Sequence, residues 1–146
     1  MIQFYRDDPG VGEMPGASKT FALLKKHDIR VALNTGFSRD ITSVLLQRMP
    51  WMNVGLVDDT ICSDEVPRGR PYPDMIFTLM KKLKVESSSS VAKVGDTPSD
   101  LQEGNSAGCG WVIGVTNGSH TREQLLPYPH THVIGSVVEL PIVWEL

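Results

Sequence analysis

The chain has 146 residues, 40% of them hydrophobic, and a net charge of −3 from 14 basic and 17 acidic side chains. That length fits one domain able to bury roughly two thirds of its unfolded surface. The charges are scattered, so no basic patch points to nucleic acid, and no stretch is apolar and long enough to span a membrane.

The N-terminus, MIQFYRDDPG, turns charged after five residues and lacks the apolar centre of a signal peptide. Cys62 and Cys109, far apart, make no disulfide framework. A reducing, cytoplasmic location is expected. The first helix is predicted over 17–27, where Ala17, Phe21 and Leu24 share a face after the start signal Pro15-Gly16. IRVALNTG, 29–36, reads as a short strand ending in a turn. SRDITSVLLQRM, 38–49, places Ile41, Val44, Leu45 and Met49 on one helical face, with Ser38 a candidate N-cap. VGLVDDTICS, 54–63, reads as a second strand or strand pair.

PDMIFTLMKKLKV, 73–85, reads as a helix with Pro73 at its first position and Ile76, Leu79, Met80 and Leu83 in one stripe. SSSS, 87–90, is a loop. SVAKVGD is a third strand, TPSDLQEGNSAG a helix closed by Gly108, and WVIGVTNG, 111–118, a fourth strand. THVIGSVVELPIVW gives a last short strand and a helical tail. Strands separated by helices argue for a layered α/β fold with a parallel sheet. In such sheets ligands sit beyond the carboxyl ends of the strands. Thr35, Asp96 and Asn117 fall there.

Asp96 follows an apolar strand, where a carboxylate can face a ligand; a plain turn aspartate fits the same position. Asp100 stands in Thr97-Pro98-Ser99-Asp100, which has the form of a capping box. An acid in that first helical turn can also face the strand ends, so the two roles are compatible. Asn34-Thr35-Gly36 offers a hydroxyl and backbone N–H groups suited to a phosphate oxygen, or a bland strand-to-helix turn. Arg70, in RGRPYPD, has the planar fork that grips phosphate, or is a solvated loop charge. The glycines of GCGWVIG, 108–114, precede a strand instead of joining a strand to a helix, so they make no dinucleotide loop. His130-Thr131-His132 lacks a third ligand in fixed relation, which argues against a metal site.

Taken in order, NTG at a strand end, GRPYPD opening a helix and VGDTPSD resemble the haloacid dehalogenase superfamily of aspartate-nucleophile hydrolases. TGFSRD, VPRGRPYPDMIF and HTHVIGSVVELP are most similar to its phosphonatase-like branch, whose members act on phosphonoacetaldehyde or related phosphorylated small molecules. The resemblance runs from about Pro15 to the C-terminus. It implies a Rossmann-like core with a mainly parallel sheet and helices on both faces. It further implies that Thr35 and the Gly36 backbone bind a phosphoryl oxygen, that Arg70 neutralises phosphate, that Asp96 binds Mg²⁺, and that Asp100 supports the metal or its waters.

The family's first motif, a strand ending in Asp-x-Asp-Gly-Thr, has no match here. Asp7-Asp8-Pro9 follows no apolar strand, and Asp58-Asp59 comes in the wrong order. The cap that follows that motif in the family is absent too. Residues 1–14 then read as the remnant of the return from cap to core, and 15–146 as a partial core domain. Loss of the central strand, which lies between those ending at Thr35 and Asp96, leaves a gap of roughly 10 Å, about two strand spacings, or forces the two to pair. The expected function is the C-terminal core of a Mg²⁺-dependent hydrolase, inactive without its nucleophile. The alternative is a non-catalytic module that binds phosphate or Mg²⁺, or pairs with a partner. Unpaired strand edges lead us to expect self-association or a complementing N-terminal segment.

Overall fold

The structure, a computed structural model, describes residues 14–49, 51–52 and 54–146. The expectations for residues 1–13, including Asp7-Asp8-Pro9, lie outside the described residues. The first described helix, α1 (Ala17–Lys26), buries Ala17, Thr20, Phe21 and Leu24, and Lys25 and Lys26 complement the negative end of its dipole. Strand β1 (Ala32–Thr35) leads into α2 (Arg39–Gln47), whose N-cap is Ser38. Strand β2 (Asp59–Cys62) is followed by a 3₁₀ turn (Ser63–Glu65) and α3 (Asp74–Lys82). A 3₁₀ turn at Ser88–Ser90 precedes β3 (Ala92–Gly95) and α4 (Pro98–Ala107). After β4 (Trp111–Val115) come α5 (Arg122–Leu125), β5 (His132–Ile134), a 3₁₀ turn (Val137–Glu139) and α6 (Leu140–Val143).

The expected order of elements is present, with shorter boundaries and three corrections. The predicted strand at 54–63 is confined to Asp59–Cys62. Upstream, Gly55 takes a left-handed φ of 74° and the Leu56 N–H bonds back to the Trp51 carbonyl at 2.8 Å, so the chain turns there. Pro73 is the N-cap of α3 and not its first helical residue. Helix α5 was not foreseen, although Thr121 and Gln124 form a capping box around it.

Among the described residues all pairings are parallel, but the strands form two sheets, β1-β2 and β3-β4-β5. Side chains alternate between the faces of each strand. In β4, Ile113 packs with Phe21, Leu24 and Leu140, whereas Val112 packs with Leu101 of α4 and Leu125. On the other sheet Leu33 joins the first of these clusters and Ile61 packs against Met75 and Leu79 of α3. Helices therefore cover both faces, as expected.

Of the two arrangements left open by the sequence, the structure takes the gap. Among the described residues β1 pairs only with β2, and β3 only with β4. Between these facing edges lies a cavity of about 970 Å³ with mostly apolar walls, among them Phe21, Leu24, Leu33, Ile76, Val94 and Trp111. At its carboxyl end Lys93 Nζ on β3 donates to Asn34 Oδ1 on β1 at 2.6 Å, and Asn34 Nδ2 donates to Glu103 Oε2 at 2.9 Å. Those bonds strap the two sheets together across the slot.

Candidate functional site

The carboxyl ends of β1 and β3 open on a second cavity, of about 490 Å³. Its walls include Thr35, Gly36, Arg70, Asp96 and Asp100, so all five site residues expected from the sequence meet there. Asn117 does not; it lies at the edge of the apolar slot.

Each wall residue has a local reason for its place. The Thr35 hydroxyl accepts the Phe37 N–H at 3.1 Å, which shapes the turn after β1 and leaves its own proton to donate. Gly36 lets Arg70 approach the backbone: a Cβ there would stand 2.8 Å from an Arg70 guanidinium nitrogen. Arg70 in turn donates through Nη1 to Asp100 Oδ1 at 2.7 Å, and so spans the mouth from the β1 turn to α4. Asp96 follows β3 directly. Its Oδ2 accepts both the backbone N–H of Ser119, at 2.9 Å, and the Ser119 hydroxyl, at 3.0 Å. Oδ1 has no partner among the described residues.

Asp100 is 4% exposed, and both of its oxygens are engaged. Oδ1 meets Arg70 at 2.7 Å and Lys93 at 3.3 Å. Oδ2 accepts the Thr97 N–H at 3.1 Å and the Thr97 hydroxyl at 2.8 Å, while the Asp100 N–H donates to the Thr97 hydroxyl at 3.2 Å. The capping box read from the sequence is therefore present. Burial alone pushes the Asp100 carboxyl up, but the Lys93 charge and the Arg70 and Thr97 hydrogen bonds outweigh it and hold the group below its usual range. Lys93 is itself buried and pairs with Glu103 at 3.1 Å.

The donors differ in what they can offer a cation. Asp96 presents a hard, unshared carboxylate oxygen at the cavity, which fits Mg²⁺. Asp100, with two shared oxygens, fits support of the site better than direct ligation. His130 and His132 are elsewhere: their Nδ1 atoms contact the Tyr128 carbonyl and the Thr131 hydroxyl, at 2.7 and 3.0 Å.

Sequence reasoning missed Lys93 and Ser119. Lys93 sits inside a strand, and its partner Asn34 is 59 positions away in the chain. Ser119 carried a usable signal, because it follows a glycine just past the end of β4, where ligand-facing loops gather.

The family model of haloacid dehalogenase-like hydrolases matches residues 9–108. A phosphonoacetaldehyde hydrolase of Syntrophobacter fumaroxidans is 36% identical over 103 residues, which are 70% of this chain and 36% of that protein. The enzyme of the same name from Parabacteroides distasonis is 34% identical over 107 residues, 73% of this chain and 40% of that protein. Among solved structures, a phosphonoacetaldehyde hydrolase-like protein from Oleispira antarctica superposes with a TM-score of 0.79 at 27% identity, over 89% of this chain and 55% of that one. The chain thus spans well under half the length of these curated relatives.

Proposed function

We propose that this chain, which belongs to the haloacid dehalogenase-like hydrolase family, is the C-terminal part of the core of a Mg²⁺-dependent phosphonatase-like hydrolase and is catalytically incomplete alone. One observation carries the reading: Thr35, Gly36, Arg70, Asp96 and Asp100 line a single cavity at the carboxyl ends of β1 and β3. Two curated relatives bear the name phosphonoacetaldehyde hydrolase, so the substrate class is a small phosphonate or phosphorylated molecule.

In this reading the Thr35 hydroxyl and the Gly36 N–H donate to one phosphoryl oxygen, and Arg70 places positive charge beside the group. Asp96 would hold Mg²⁺, with Asp100 fixing Arg70. The ion, when bound, neutralises charge developing on the phosphoryl oxygens. Among the described residues of the cavity wall none is placed as an attacking aspartate, and the covalent route needs one. Location in the cytoplasm belongs to the same proposal. Among the described residues no helix is long and apolar enough to cross a membrane.

The second reading, a module that binds phosphate or Mg²⁺ without turnover, is favoured by the state of Asp100, whose oxygens are both occupied. Phosphate release before and after an N-terminal complement is supplied separates the two.

Mg²⁺ binding to the chain alone should be weak, since Asp96 Oδ1 is, among the described residues, the one carboxylate oxygen on the cavity left without a partner, and the ion keeps several waters. Asp96→Asn should weaken it at least about tenfold, or roughly 1.4 kcal/mol. Calorimetric titration with MgCl₂ checks this; tight binding that Asp96→Asn leaves untouched would sink the assignment.

The slot bears on assembly. Two apolar sheet edges facing an open cavity invite strand pairing with another chain. Light scattering well above micromolar concentration should find dimers or larger species, and a clean monomer would refute that expectation.

A further inference from the structure

Beside the cavity, Ser119 Oγ lies 3.0 Å from Asp96 Oδ2 and 2.8 Å from His120 Nδ1. We propose that Ser119 is a positioning residue for Asp96, and that His120 fixes the direction of the Ser119 hydroxyl by donating Nδ1–H to it. The proposal rests on the reading of Asp96 as the Mg²⁺ ligand.

An ionised carboxylate only accepts hydrogen bonds, and a serine hydroxyl has a single proton to give. If that proton pointed at His120, two acceptor oxygens would face each other at 3.0 Å. The stable arrangement therefore sends the Ser119 proton to Asp96 Oδ2. Ser119 Oγ is then an acceptor toward the imidazole, so Nδ1 carries the hydrogen. His120 is held in its Nδ1–H tautomer, the less populated one for neutral histidine in water.

The close approach of this loop depends on Gly118, where a Cβ would stand 2.3 Å from Asp96 Oδ2. The Ser119 N–H adds a second bond to the same oxygen, at 2.9 Å. With Oδ2 held twice, Asp96 offers a cation one oxygen only. One-oxygen binding suits Mg²⁺, which is small and octahedral; Ca²⁺ gains from carboxylates that bind through both oxygens. Ser119 and His120 thereby favour Mg²⁺ over Ca²⁺. Neither touches the reacting group.

The test uses the isotope-labelled chain with MgCl₂ or CaCl₂ as the only added ligand. Long-range ¹H–¹⁵N correlations of His120 should show the Nδ1–H tautomer in the parent chain and mainly Nε2–H in Ser119→Ala. Ser119→Ala and His120→Ala should each weaken Mg²⁺ roughly tenfold, the low end for groups that orient a metal ligand, and leave Ca²⁺ less affected. His120→Asn, whose amide nitrogen can take the place of Nδ1–H, should restore Mg²⁺ affinity. An Nε2–H tautomer in the parent chain overturns the proposal. So does unchanged Mg²⁺ affinity in Ser119→Ala when Asp96→Asn weakens binding. Mg²⁺ binding indifferent to Asp96→Asn overturns the metal reading and the positioning role together, and the tautomer then reports on the hydrogen-bond direction alone.

Discussion

Joined to an N-terminal segment from a phosphonatase-like relative, fused or in trans, this chain should release phosphate from phosphonoacetaldehyde in a metal-dependent manner. Alone it should release none above background. On the proposed reading Thr35, Arg70 and the Asp96 site would stabilise charge on a phosphoryl group, but with no attacking group placed among the described residues only slow attack by water would remain. In the hybrid, Arg70→Ala and Asp96→Asn should each lower kcat by at least about 10²-fold, the scale seen when one electrostatic stabiliser is removed. Thr35→Ala should cost less, because a neutral hydrogen bond contributes less than a charged one. Arg70 also pairs with Asp100, so circular dichroism must accompany that variant. A phosphate-release assay on both forms decides the matter. Metal-dependent turnover by the chain alone would refute the missing-nucleophile argument, and a folded hybrid indifferent to Asp96→Asn would refute the site.

Asp100→Ala should destabilise the fold by about 3–5 kcal/mol, the range for removing one partner of a buried ion pair. In a chain of this size that lowers Tm by on the order of 10 °C. The change leaves Arg70 and Lys93 without their shared carboxylate and removes half of the Thr97 capping box. It also has a pH signature. Because the folded state holds the Asp100 carboxyl below its ordinary value, the ionised group contributes stability that is complete above the unfolded pKa of about 3.9. That contribution fades as pH falls through the lower, folded value. Urea denaturation should therefore find the gap between the parent and Asp100→Asn full at neutral pH and closing in stronger acid. A gap under about 1 kcal/mol at neutral pH would be the median of exposed pairs, and would show that the network is not a buried one.

The helices were legible because their signals are local. Ser38, the Thr97-Pro98-Asp100 box and Gly108 are caps whose partners lie within a turn, and the structure keeps each of them. The placement of Thr35 and Asp96 on one cavity was legible for a similar reason: topology sends strand ends to one place. What sequence could not supply was pairing across the chain. Lys93 reads as a lone charge in a strand until Asn34 and Glu103 close around it. The strand predicted over 54–63 came out too long because apolar content alone does not distinguish a ladder from the turn that Gly55 makes. Asp100 was open to two roles, and its geometry realises the cap while leaving ligation to be tested.

The slot between β1 and β3 should leave a calorimetric mark. Unfolding raises heat capacity in proportion to the apolar surface newly given to water, about +0.45 cal/K/mol per Å². Walls of the 970 Å³ cavity that water already reaches in the folded chain add nothing to that term. The unfolding heat capacity of the chain alone should then be slightly smaller than that of the complemented protein, giving a slightly flatter dependence of stability on temperature. A strand that enters the slot and dries those walls reverses the effect: its association should carry a negative heat-capacity change, the marker of apolar burial, and the complemented protein should regain the curvature that the chain alone lacks.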